Sequence, residues 1–235
     1  MRRRDFIKFI LGSAAAWPLP LRAQQTAKVY RIGYLGVTSH AEYMREIEAL
    51  LKGLRQLGYE EGKNITIYYQ FAEGDYDRLP ALAAELVTLK VDVLLTHSTP
   101  GARAARQATS TVPIVVMAAA DLVSSGLVPS IARPGGNLTG LTFFFAEICA
   151  KRIELIKEAV PAATRLGVLV NPANPSGEAA LTAMQRTARA LRVELLTVDV
   201  RAVDDIAGAF AMLASRGAQA LTFIEDPLLT GPACG

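Results

Sequence analysis

The chain has 235 residues, 25 Lys and Arg against 22 Asp and Glu, and a formal charge of +3. Residues 1–23 hold Arg2, Arg3, Arg4, Lys8 and Arg22 against the single acid Asp5, so without them the formal charge is −1 and the basicity belongs to the leader alone. The other Lys and Arg are interspersed with acids, which excludes a basic stripe for nucleic acid. Cys149 and Cys234, with only His40 and His97 to join them, lack metal-ligand spacing and do not suggest a disulfide framework.

The first element is "RRRDFIKFILGSAAAW". Its apolar run, Phe6 to Trp17, has about half the length a helix needs to cross a bilayer, and it fits an export signal better than an amphipathic first helix. Arg3-Arg4-Asp5-Phe6-Ile7-Lys8 resembles the twin-arginine export motif, and cleavage is expected after Ala23. The mature chain, from residue 24 on, is long enough for one or two domains and shows no segment of transmembrane length.

"VYRIGYLGV" (29–37) reads as a buried strand. In the next segment Tyr43, Met44, Ile47, Leu50, Leu51, Leu54 and Leu57 recur at helical spacing; Ser39 with Glu42 suggests a capping box, and Gly58 a stop. "NITIYYQFA" (64–72) is a strand, and Leu79, Leu82, Leu86 and Leu89 mark a helix with Pro80 in or near its first turn. "VDVLLTH" (91–97), a helix over 100–108, "PIVVMAA" (113–119) and a helix over 122–132 continue the alternation. "RPGGN" (133–137) is a turn. The pattern restarts with strands at 138–144, 165–170, 193–200 and 218–224 and helices at 147–159, 175–190 and 205–216. Continuously apolar strands between amphipathic helices predict an α/β fold of two doubly wound, Rossmann-like parallel-sheet lobes, 24–137 and 138–235, joined near 137–143.

In such sheets ligands bind beyond the carboxyl ends of the strands, where helices begin. The candidates there are Thr38, Ser39, His97, Ser98, Thr99 and Asp121 in the first lobe. The second lobe offers Asn171 with Asn174, Arg201 near Asp204, and Glu225-Asp226. Ser39, Thr99, Asp121, Asn174 and Asp204 are each also good helix N-caps. Phe143 or Phe144, near the crossing between lobes, is placed to stack on an apolar part of a ligand or to be ordinary core. No nucleophile elbow or P-loop is present, and Gly33-x-x-Gly36 is an incomplete dinucleotide motif. This favours binding without a cofactor over catalysis.

The stretches "MRRRDFIKFI", "RIGYLG", "GLRQLGYEEGKNITI", "AEGDYDRLPALAAELV", "VDVLLTHSTPGARAARQAT", "IARPGGNLTGLT" and "KRIELIKEAVP" together resemble the ABC transporter substrate-binding proteins of soil and root-nodule bacteria. The relatives of that family include aromatic amino-acid binders. The resemblance implies a type I periplasmic-binding-protein fold whose lobes close over a small ligand and deliver it to a membrane permease. The ligand would be an amino acid or related carboxylate, its carboxylate held by the helix starts behind Ser39 and Thr99 and its ammonium by Asp121. Two departures stand out. Asp121 is followed by Leu122 where the family has Pro, and "TGPACG" follows "IEDPLL" where another third of a chain is expected, so the second lobe is expected to be incomplete. A periplasmic Rossmann-like enzyme and an inactive fragment of a disrupted gene are the alternative readings.

Overall fold

The computed structural model describes residues 28–120 and 122–230. The export segment with Arg3, Arg4, Phe6 and Ala23, as well as Asp121 and Cys234, lies outside the described residues.

The first half contains β1 (Tyr30–Gly36), α1 (Met44–Gln56), β2 (Ile65–Phe71), α2 (Leu79–Thr88), β3 (Val93–Thr96), α3 (Ser98–Ala108), β4 (Ile114–Ala119) and β5 (Leu138–Thr142). Its five strands form one parallel sheet in the order β2-β1-β3-β4-β5. The second half contains α4 (Phe145–Ala159), β6 (Arg165–Val170), α5 (Gly177–Ala190), β7 (Glu194–Asp199), α6 (Asp205–Ser215), β8 (Ala220–Phe223) and the single turn α7 (Pro227–Thr230). Its strands form a second parallel sheet, ordered β7-β6-β8.

Each sheet is covered on both faces, as the apolar strands require. On one side of the first sheet Leu35, Leu94, Ile114 and Val116 meet Leu79, Leu82 and Leu86 of α2 and the alanines of α3. On the other, Ile32, Tyr34, Ile65, Ile67 and Leu95 meet Tyr43 and Ile47 at the start of α1. In the second sheet Leu166, Val168 and Val170 pack on Cys149 and Ile153 of α4 and Met184 of α5, and Leu169, Leu196 and Val198 pack on Ala209 and Leu213 of α6. Cys149 is fully buried in this core, and that burial raises its thiol to about 11. Gly36 is where Phe71 needs space: a Cβ there would lie 2.3 Å from the Phe71 ring, so the glycine of the partial dinucleotide motif serves aromatic packing.

Two expectations about elements are corrected. The strand expected at 138–144 belongs to the first sheet, not the second, because β5 pairs with β4 through Leu138, Thr139 and Gly140. The helix expected over 122–132 is a run of turns. Gly126 adopts φ 71° and Leu127 and Val128 both return N–H groups to the Leu122 carbonyl, folding the apolar residues inward without a helical turn. Leu122, Leu127 and Val128 are still buried, so the apolar spacing reported burial and not helix.

Gly140 sets the β4–β5 contact, since a Cβ at that position would stand 2.2 Å from the Val116 carbonyl oxygen. We expect Gly140→Ala to lower stability by about 1–3 kcal/mol through overpacking in urea unfolding. Gly53→Ala, inside α1 with nothing within 4 Å of the new methyl, should raise it by about 0.5–1 kcal/mol.

Candidate ligand-binding cleft

The strand order reverses at β1 and β3 in the first sheet and at β6 in the second, so their carboxyl ends form the crevices where an open parallel sheet binds ligands. After β1, the Glu42 N–H donates to the Ser39 hydroxyl at 3.3 Å. Residues 40–43 are turn and α1 begins at Met44, so Ser39 caps the entry to the helix and not its first residue. After β2, the Ala72 N–H donates to the Gly36 carbonyl at 3.0 Å and the Gly74 N–H to that of Val37 at 2.9 Å. Asp75 then accepts from the Asp77 N–H at 3.1 Å, and Arg78 donates to the Ala72 carbonyl at 3.1 Å. These bonds fix Tyr76, in the short 3-10 turn Tyr76–Arg78, at the mouth of the first lobe.

After β3 the backbone is strained, with Ser98 at φ 69°, a left-handed value that serine rarely adopts. His97 stands at the helix N-cap without a side-chain capping bond, so the capping role considered for Thr99 is not filled. The face of α3 toward the sheet is made of Gly101, Ala102, Ala104 and Ala105, all buried. A Cβ on Gly101 would lie 2.3 Å from the Thr96 hydroxyl, which itself donates to the Leu35 carbonyl at 3.0 Å. Small residues thus bring the first turn of α3 close to the sheet end.

In the second half, Asn171 and Asn174 follow β6 and fold their own loop: their side-chain oxygens accept from the N–H groups of Ala173 at 3.0 Å and Ser176 at 2.9 Å. Their amide nitrogens donate to Asp226 at 3.0 and 2.7 Å. Asp226 also accepts from the Leu228 N–H at 3.0 Å and from the Tyr76 hydroxyl, 2.9 Å from each carboxylate oxygen. The neighbouring Glu225 pairs with Arg152 of α4. Asp205, not Asp204, receives the backbone N–H groups of Arg201 and Ala202, at 2.8 and 2.9 Å.

Two cavities open between the halves. The outer, about 510 Å³, is lined by Thr38, Ser39, Glu42, the 73–77 loop, Asn171 and Arg201. The inner, about 150 Å³, is lined by His97, Ser98, Thr99, Ala118, Ala119, Ala120, Phe143, Phe145, Asn174, Ser176, Glu225 and Asp226. Pro227 borders both. The expected residues therefore divide: Thr38, Ser39 and Asn171 face the outer space, while His97, Ser98, Thr99, Phe143 and Asp226 face the inner one. Phe144 faces neither and is 70% exposed. Sequence reasoning missed Phe145, which meets Phe143 edge to face at 5.9 Å, as well as Ser176 and Tyr76. Ser176 carries only the generic signal of a polar residue before a helix, and Tyr76 lay unexplained inside "GDYDRLP".

Around the inner cavity the hydroxyls of Ser98, Thr99 and Ser176 and the Nδ1 of His97 are buried without a hydrogen-bond partner among the described residues. Ser98 is 7%, Thr99 2% and Ser176 8% exposed. Buried polar groups are normally paired, so this cluster stands ready to bond something placed between the halves. Burial holds the His97 imidazole below its usual 6.5, with Glu46 opposing. Burial first and the Asp226 carboxylate second raise the Tyr76 phenol, which keeps it protonated as a donor. Among the described residues no group of three or more His, Cys, Asp and Glu side chains is arranged to hold a metal ion, and no helix is long and apolar enough to cross a membrane.

Two parallel-sheet halves with polar strand ends facing one another define a two-lobed ligand-binding fold. The chain belongs to the ABC transporter substrate binding protein family, whose model matches residues 31–231. It is 29% identical over 189 residues to the tyrosine-binding protein of Clostridioides difficile, covering 80% of this chain and 54% of that protein. A conserved domain protein from Vibrio cholerae superposes with a TM-score of 0.75 at 29% identity, over 83% of this chain and 64% of that one. An ABC domain from Streptococcus pneumonia in complex with L-Trp gives 0.75 at 24% identity, over 85% and 66%. The fold is that of type I periplasmic binding proteins with a partial second lobe, and the chain spans about half the length of the curated relative it matches.

Asn174→Ala should cost about 1–3 kcal/mol, because it removes a donor from a buried carboxylate, whereas Ser98→Ala breaks no native hydrogen bond and should change urea stability by less than about 0.5 kcal/mol. Because the imidazole is depressed in the folded state, the unfolded chain binds its proton first. Stability contributed by neutral His97 should therefore fall as pH drops from 6.5 through the lower folded value. His97→Gln should flatten that part of the urea-stability profile.

Proposed function

We propose that this chain is the extracytoplasmic binding component of an ABC importer, capturing a small carboxylate, an amino acid or a close relative, between its lobes. The observation that carries the reading is the cluster of buried, unpartnered hydroxyls of Ser98, Thr99 and Ser176 beside the first turn of α3. Free backbone N–H groups and the positive end of the helix dipole favour an anion at that point, and the two hydroxyls of α3 add donors to it. Phe143, Phe145 and the three alanines at 118–120 supply an apolar wall for the side chain. The 29% identity to a tyrosine-binding protein supports an amino acid as the ligand. Asp121 keeps its assignment as ammonium partner within this proposal, and Thr38, Ser39 and Asn171 line the approach from the outer cavity.

Ligand contacts with both lobes shift the open-closed equilibrium toward closure, and the closed form docks on an inner-membrane permease. The twin-arginine-like residues Arg3, Arg4 and Phe6, with cleavage after Ala23, send the chain to the periplasm in this reading. The lobes divide between β5 and α4.

The test is a thermal melt with L-tyrosine, L-tryptophan, L-leucine and benzoate. A bound probe at about 100 times its dissociation constant stabilises the fold by about 2.7 kcal/mol, and the melting temperature rises with concentration. Ser98→Ala with Thr99→Val should weaken that probe at least about tenfold, the value of hydrogen bonds to a charged group. A midpoint that no probe moves refutes the reading.

A further inference from the structure

Tyr76 and Asp226 are 150 positions apart in the chain, and the phenol of one stands 2.9 Å from both oxygens of the other. Tyr76 is fixed to the first lobe by the loop that Asp75 and Arg78 close. Asp226 is fixed to the second by Asn171, Asn174 and the Leu228 N–H. Both ends of the bond are thus held by their own lobe before the lobes meet. The carboxylate is 2% exposed, and three donors from its own lobe already reach it, divided between its two oxygens. The phenol adds a donor from the opposite lobe. A buried carboxylate whose donors are all neutral depends on each of them. Separation of the lobes removes the Tyr76 donor from Asp226 and Asp226 from Tyr76 together.

We propose that Tyr76 is a positioning residue that latches the first lobe to the Asp226 carboxylate, setting the closed fraction of the protein and holding Asp226 at the wall of the inner cavity. The latch lies beside the inner cavity and does not use the Ser98, Thr99 and Ser176 hydroxyls. It biases closure whatever the ligand is, and it holds even if the carboxylate assignment fails. Because only the closed form completes the site, a smaller closed fraction lowers apparent affinity in proportion. Ligand selectivity stays with the residues around the cavity.

The experiment is small-angle X-ray scattering on the full chain in buffer without added ligand, wild type against Tyr76→Phe. The substitution keeps the ring that packs on the first-lobe core and deletes the hydroxyl. The closed-to-open ratio should fall about 10- to 100-fold, the range for a hydrogen bond to a charged group, giving a larger radius of gyration. Hydrogen exchange separates this from general loosening. Amides of Ala173 and Leu228, at the Asp226 junction, should exchange faster, while those in the centres of β1 and β6 keep wild-type rates. Tyr59→Phe, at a tyrosine of the exposed turn after α1, should leave scattering and exchange unchanged. Scattering from Tyr76→Phe that superposes on wild type would overturn the latch, as would faster exchange spread evenly over both sheets. Since neither readout uses a ligand, failure of the importer reading and failure of the latch are told apart.

Discussion

A carboxylate buried with no cation paired to it among the described residues organises the cleft. Taking Asp226 out of water is unfavourable by several kcal/mol unless its oxygens are bonded, and the chain answers with two asparagine amides, a backbone N–H and a phenol. Each donor arrives on a loop with its own internal bonds, so placing the one charge also places the β6 and β8 loops and the turn after β2.

The inner cavity shows the opposite treatment of polar groups. Three hydroxyls and an imidazole nitrogen gather there without a hydrogen-bond partner among the described residues, and the backbone at Ser98 is held in a left-handed conformation. Strain and missing partners at one spot are what a fold keeps when the spot has work to do. The contrast with Asp226, which lines the same cavity, separates the group that holds the cleft together from the groups that remain available within it.

Much of this could be read from the residues. Apolar runs such as "VYRIGYLGV" and the leucine spacing of 79–86 gave the strands, helices and parallel sheets, since burial on both faces leaves a continuous apolar signature. The rule that ligands bind beyond strand ends singled out Thr38, His97, Ser98, Thr99, Asn171 and Asp226, which line the two cavities. What stayed hidden depends on distance in space. Nothing near Tyr76 in sequence announces a partner at Asp226, and nothing in "LTGLT" says which of two sheets it joins; the close approach of Gly140 to Val116 settles that. The apolar residues of 122–132 mimicked a helix because turns and helices bury leucines equally well.

Gly101 and the alanines of α3 lie behind the cavity, and none of them lines it. The helix reaches its depth because Gly101 leaves the Thr96 hydroxyl undisturbed. A side chain there would push the whole first turn outward and carry Ser98 and Thr99 with it. The spacing between the lobes' polar groups is therefore adjustable from a position outside the cavity lining. The thickness of one helix–sheet contact thereby sets the depth of the cavity independently of the identity of the residues that line it.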